Sequence, residues 1–283
     1  MERQRSADQS SADQNTNLCN AARVSFLVAC LAVLAPSLCR CQIPEGVAVG
    51  TIASSNTVDL AATGDVSSAA VIPVAIHASQ PSLIVVGFAG GFVRSTSSIH
   101  GEVGLAMHLR EQYGSTIHTE IFENHHGDDA YREILRLVSD SKKTASAKKP
   151  VKIILYGHSW GASEAVTVAR RLERDGVPVL LVVQVDGVQK PGEDDDLIPA
   201  NVAQAVNFYQ TDGVLHGRSM IRAANPATTK IIGNYRMSYK DKSIACPGYP
   251  WYTRLFTRPH IEIENDPQVW NKVEALIVAR AAP

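Results

Sequence analysis

Val151-Lys152-Ile153-Ile154-Leu155-Tyr156-Gly157-His158-Ser159-Trp160-Gly161-Ala162 is the stretch on which the reading of this 283-residue chain turns. Residues 151–156 are apolar but for Lys152 and read as a buried strand. From Ala162 to Asp175 the period changes: Ala165, Val166, Ala169 and Leu172 share one helical face, and Gly176 stops the helix. Between strand and helix only Gly157-His158-Ser159-Trp160-Gly161 is left to make the turn. Glycines on both sides of a serine suit a reversal too tight for larger side chains. The stretch therefore predicts a strand, a sharp turn carrying a serine, and a covering helix.

The same alternation extends in both directions. Upstream, Leu83–Val86 reads as a strand, His100–Tyr113 as a helix, Ile117–Phe122 as a strand and Asp128–Ser141 as a helix. Downstream, Val177–Val185, Ala205–Tyr209 and Lys230–Ile232 read as strands. Asp266 caps a last helix with Pro267 in its first turn and an inner stripe of Trp270, Val273, Leu276 and Ile277. Strands alternating with helices of this length predict an α/β fold, a mostly parallel doubly wound sheet with helices on both faces. One such unit is assigned to residues 82–283. Residues 42–81 read as a Ser/Thr/Ala/Gly-rich linker with weak strands such as Val71–Ile76.

Residues 1–41 read as a polar leader plus a signal peptide. The leader is rich in Ser, Asp, Gln and Asn, and Arg23 precedes an apolar run from Val24 to Leu34. That run fits a signal-peptide core and is too short to span a membrane. The expected location is secreted or periplasmic, with no stable membrane span after cleavage. Leu27-Val28-Ala29-Cys30 has the form of a lipoprotein box but lacks the apolar run before it, so a tethered form is the weaker reading. Cys19, Cys30, Cys39 and Cys41 lie in or beside the leader, leaving Cys246 in the body and no disulfide or zinc pattern. With 27 basic against 28 acidic residues, no Lys/Arg stripe and 45% hydrophobic residues, the chain has no nucleic-acid footprint and enough apolar content for a core.

A Gly-x-Ser-x-Gly turn between strand and helix is the form of a nucleophile elbow, which lifts the serine oxygen above the sheet edge. A serine needs a base and an acid to become nucleophilic, and in this architecture they follow it in the order acid, then histidine. Two histidines lie downstream, His216 and His260. His260, in a loop expected just before the last helix, is the better placed. For the acid, Asp186 ends one strand and Asp212 follows the next, each in an Asp-Gly pair that is also a plain turn signal. Two backbone N–H groups are needed for an oxyanion. One is assigned to Trp160, the other to Phe88, with Ala89 second, in the glycine-rich segment Gly87–Phe92.

With these pieces in order, residues 82–281 resemble the α/β-hydrolase superfamily, and the elbow resembles those of lipases, esterases and thioesterases. Val185-Asp186-Gly187-Val188, Asn207-Phe208-Tyr209-Gln210 and His260 before Asp266-Pro267 are similar to a group of bacterial serine hydrolases of uncharacterised substrate. That resemblance implies a Ser159, His260, Asp186 triad, whereas the more usual superfamily position implies Asp212 as the acid. Val86 stands where a His-Gly start is frequent before the oxyanion loop. The implied activity is cleavage of a small-molecule carboxylic ester or thioester, without a cofactor. An acyltransferase would use the same triad, and a catalytically silent envelope-binding module is the reading from another class. Patatin-like hydrolases share a glycine loop, a serine and an Asp-Gly, but their spacings differ from those here. Glu123-Asn124-His125-His126-Gly127-Asp128-Asp129 reads as a solvated helix start, with its adjacent histidines pointing apart, so no metal site is expected.

Overall fold

In the computed structural model, which describes residues 82–143 and 150–281, the first element is β1 (Leu83–Ala89), buried along its whole length. It is followed by α1 (Gly101–Tyr113), β2 (Ile117–Glu123), α2 (Gly127–Lys143), β3 (Lys152–His158), α3 (Trp160–Arg174) and β4 (Val179–Val185). Then come β5 (Leu197–Ile198), β6 (Val202–Tyr209), β7 (Arg222–Ala223), β8 (Lys230–Arg236), α4 (Trp251–Glu264) and α5 (Pro267–Ala281). All of these fall in one unit, Ile76–Pro283. The leader, the weak strand expected at Val71–Ile76 and the four N-terminal cysteines lie outside the described residues.

Six strands form one sheet in the order β2-β1-β3-β4-β6-β8, and every neighbouring pair is parallel. β5 and β7 make a separate parallel pair. Successive side chains of a strand point to opposite faces, so both faces of a strand this apolar must be covered. Ile84, Val86, Phe88, Ile153, Leu155 and Val182 face α2 and α3, which supply Ile134, Val166, Ala169 and Leu172. Leu83, Val85, Ile154, Tyr156, Leu181 and Val183 face α1, α4 and α5, which supply Leu105, Leu109, Ile263, Val273 and Ile277. Burying one such side chain is worth roughly 1.5–3 kcal/mol. The doubly covered parallel sheet expected from the alternation is what the chain forms.

The strand order also places a crevice. From β1 the chain adds β2 on one side, then returns to lay β3 on the other side of β1. Connections on either side of such a reversal leave the sheet in opposite directions, opening a gap beyond the carboxyl ends of β1 and β3. Those ends carry Gly90 and Ser159. The next two parallel strands end at Val185 and Tyr209, at the same edge.

Several elements differ from the sequence reading. β1 runs on to Ala89, β3 to His158 and β8 to Arg236, β6 begins at Val202, β5 and β7 have no counterpart in that reading, and residues 251–264 are helical where a loop was expected around His260. Thr257 is non-helical (φ −123°, ψ 17°), so the helix restarts at Arg258 and Pro259 sits in the first turn of the restart. There the missing proline N–H removes no helical bond.

Candidate active site

The elbow is tight because its glycines allow nothing else. A Cβ on Gly157 would collide with the Gly161 carbonyl carbon, and one on Gly161 would collide with the Phe88 oxygen. Ser159 takes up the cost of the turn at φ +54°, ψ −125°. Among the described residues the only other non-glycine at positive φ is Asp186, at +44°. Such backbone conformations cost of order 1–3 kcal/mol each and persist where the surroundings enforce them. Here the enforcement is visible. The Ser159 N–H donates to Val185 O at 3.0 Å and the Asp186 N–H donates to Phe208 O at 2.7 Å, extending the ladder one step past the strand ends.

Of the residues singled out from sequence, Ser159, His260 and Asp186 come together. Ser159 Oγ is 3.0 Å from His260 Nε2, and His260 Nδ1 is 2.7 Å from Asp186 Oδ2. All three are buried, Asp186 completely. Asp186 is fully satisfied: Oδ1 accepts from the backbone N–H groups of Gln210 (3.1 Å) and Gly217 (2.8 Å), and Oδ2 also accepts from Gln210 Nε2 (2.8 Å). Burial pushes its pKa upward, but the hydrogen bond and charge of His260, with Gln210 and Gly217, outweigh that and hold it below the usual carboxylate range. An ionised Asp186 only accepts, so His260 carries its proton on Nδ1 and turns a lone pair at Nε2 toward the serine.

Asp212 does not join them. Its carboxylate accepts from the Tyr239 N–H (2.7 Å), the Ser238 hydroxyl (2.9 Å) and Arg236 (3.1 Å), pinning the chain after β8. His216 is an exposed loop residue whose Nδ1 meets the Gly217 carbonyl oxygen at 3.0 Å. We therefore expect Asp212→Asn to leave turnover within a few-fold of the parent while costing about 1–2 kcal/mol in urea denaturation. A collapse of turnover with unchanged folding would reverse that assignment.

The assignment of Phe88 as an oxyanion donor is corrected. Phe88 lies inside β1, paired with Phe122 on one side and Gly157 on the other, and its ring is buried. An N–H there points into the sheet plane and belongs to the ladder, not to the space above Ser159. Ala89, the second choice, is also a strand residue, paired with Glu123. The segment that meets the serine is the turn Gly90–Val93, closed by Val93 N–H to Gly90 O at 3.0 Å with Gly91 at φ +46°. A Cβ on Gly90 would lie 3.1 Å from Ser159 Cβ. Trp160 is the first residue of α3, two residues before the helix start expected from sequence.

A polar layer beneath the site was not foreseen. Glu102, fully buried, accepts the Gly90 N–H at 3.0 Å. Burial and the nearby Glu264 raise its pKa well above the usual carboxylate range. Glu264 accepts from His100 (2.6 Å) and the Tyr249 hydroxyl (2.8 Å). Burial opposes its ionisation, but the facing His158 and His100 imidazoles and Tyr249 overcome this and hold it below the usual range. Nothing in the sequence marks this layer. An acid in the first turn of a helix, such as Glu102, reads as a surface residue complementing the helix dipole.

His158 packs against His260 with the rings tilted by 34° and their centroids 4.5 Å apart, and burial lowers its pKa from 6.5 to about 4. The unfolded chain thus binds a proton at this position between about pH 6.5 and 4 that the folded chain refuses. Stability must fall as pH is lowered through that window. We expect His158→Gln to flatten this part of the pH–stability curve by on the order of 3 kcal/mol, read from urea midpoints at pH 7 and pH 4.5. Identical slopes in the two proteins would show that His158 is not the group responsible.

Glu123 ends β2 and His125 and His126 sit in the turn before α2, and there the structure departs from expectation. The adjacent imidazoles do not point apart but lie 4.4 Å from each other, because the two histidines belong to neither strand nor helix. The ligating atoms of the three residues lie within 4.8 Å of one another. His126 Nδ1 is engaged by Asp129 at 2.8 Å.

An all-parallel, doubly covered sheet with a serine elbow at the strand-to-helix turn is the α/β-hydrolase architecture. No protein-family model and no curated protein matches the sequence. Among solved structures, the chain is similar to human thioesterase 2 (11% identity, TM-score 0.38, 71% of this chain and 96% of that one). It is similar also to a cutinase-like protein from Cryptococcus sp. (13%, 0.38, 70% and 94%) and to an acetylxylan esterase (13%, 0.34, 72% and 100%). At these overlaps the likeness carries no argument about chemistry. Among the described residues no helix is long and apolar enough to cross a membrane.

Proposed function

We propose that this chain is a serine hydrolase that cleaves a carboxylic ester or thioester through an acyl-enzyme. The observation that carries the reading is the unbroken line from Ser159 Oγ through His260 to Asp186, with steps of 3.0 and 2.7 Å. In this reading Ser159 Oγ attacks the carbonyl carbon while His260 Nε2 takes its proton. Asp186 holds the tautomer and stabilises the imidazolium without itself being protonated. The oxyanion turns to the Trp160 N–H and to an amide of the Gly90–Val93 turn. Glu102 already accepts the Gly90 N–H, so the turn offers Gly91 and Phe92. His260 then gives its proton to the leaving alcohol or thiol, and the ester or thioester bond breaks. Water activated by the same imidazole releases the acid and regenerates Ser159.

The apolar run Val24–Leu34 after Arg23 supports export as the setting. A fluorophosphonate probe tests the chemistry. Stoichiometric phosphonylation of Ser159, mapped by mass spectrometry, is the expected result. Folded protein that stays unlabelled would make the chain a silent binding module.

A further inference from the structure

The proposed reaction leaves open where the acyl group lies, and the stereochemistry of the site answers it. His260 must reach the leaving atom, so the alcohol or thiol lies on the His260 side of Ser159. His260 is carried by α4, which with α1 and α5 covers one face of the sheet. The carbonyl oxygen is committed to the amides of Trp160 and the Gly90–Val93 turn. The remaining substituent of the tetrahedral centre, the acyl chain, must leave on the opposite side, over the starts of α2 and α3.

A groove lies there. Gly91 and Phe92 from the turn, Asn124 before α2, Trp160 at the start of α3, and Lys190 and Pro191 after β4 enclose about 330 Å³. That is the low end of the roughly 300–1,000 Å³ of small-molecule sites, right for a chain and not for a polymer or a folded partner. Its walls are aromatic. Phe92, 77% exposed, meets Trp160 edge to face at 5.9 Å between centroids. Together the two rings form a continuous apolar surface that begins at the residue after the serine. The one cation, Lys190, is not free to recruit an anion. Its ammonium is paired with the Glu164 carboxylate and also donates to Asn124 O at 2.8 Å. Lys190 therefore brings no free charge to a groove whose other lining, His125 apart, carries no ionisable group.

We propose that this groove binds the acyl half of the substrate, and that the acyl half is an uncharged aliphatic chain. The proposal rests on the serine-hydrolase reading above. The experiment compares p-nitrophenyl esters from acetate to decanoate, with acetate esters of lengthened alcohols as the second arm. For the parent protein kcat/KM rises about fourfold per methylene along the acyl series until the groove is filled, then levels off. Two variants alter the groove in opposite senses: Phe92→Ala removes a wall and His125→Trp adds bulk to the lining, where His125 is exposed. In each, the ratio of kcat/KM for octanoate over acetate falls at least tenfold, and fluorophosphonate labelling of Ser159 certifies that the variant is folded. A flat acyl series in labelled, active protein would overturn the groove alone. So would an unchanged ratio in both variants, or length dependence confined to the alcohol arm. Absence of both labelling and turnover would overturn the hydrolase reading and the groove with it.

Discussion

Replacing Ser159 by alanine lowers kcat by about 10⁵–10⁶-fold, and replacing His260 by alanine lowers it by a similar factor. The double variant is no worse than either single one. These expectations follow from the geometry, since a serine hydroxyl at its free pKa is a poor nucleophile and His260 Nε2, at 3.0 Å, is its one ring partner. Removing either group removes the same event, the transfer of a proton during attack, so their losses do not add. Steady-state turnover of a p-nitrophenyl ester measures all three proteins, and each should melt like the parent. The His260 variant also separates two mechanisms. In a serine–aspartate dyad of the patatin type, loss of this histidine would leave turnover intact. Here His260 stands between Ser159 and Asp186, and activity surviving its removal would refute the triad.

Asp186→Asn is expected to lower kcat by about 10⁴-fold with a far smaller change in KM. All four contacts of Asp186 are donors: two backbone N–H groups, the Gln210 amide and the His260 imidazole. An asparagine can offer the imidazole an amide oxygen only by turning its NH₂ toward Gln210 N–H and Gly217 N–H, which are donors themselves. If instead the NH₂ faces His260, the ring keeps its proton on Nε2 and has no lone pair for Ser159. Either orientation leaves a buried clash or the wrong tautomer. A loss confined to KM would place Asp186 in binding instead.

What could be read from the residues alone was whatever sterics and periodicity dictate locally. The elbow was readable because only glycine fits at 157 and 161, and the covered sheet because strand and helix periods alternate. Asp186 was harder: residues alone left it equal with Asp212, and the resemblance favoured it. What distinguishes their surroundings is long-range: Gly217 and Gln210 wrap one carboxylate and Tyr239 the other. The helix under His260 was unreadable because Pro259 reads as a stop and only the kink at Thr257 makes it a beginning. Phe88 was misassigned because a glycine-rich run hides where its strand ends. Glu102 gave no signal at all, since an acid buried by tertiary packing looks the same in sequence as one in water.

The three members of the site are carried on the ends of β3 and β4 and on α4, with His260 lying 101 residues from Ser159 and 74 from Asp186 along the chain. Contacts this distant form only when most of the sheet has assembled. A chain still being synthesised therefore carries a serine without its base. In the proposed reading the base reaches the serine only when α4 packs onto the sheet, so that folding itself is the step that assembles the nucleophile.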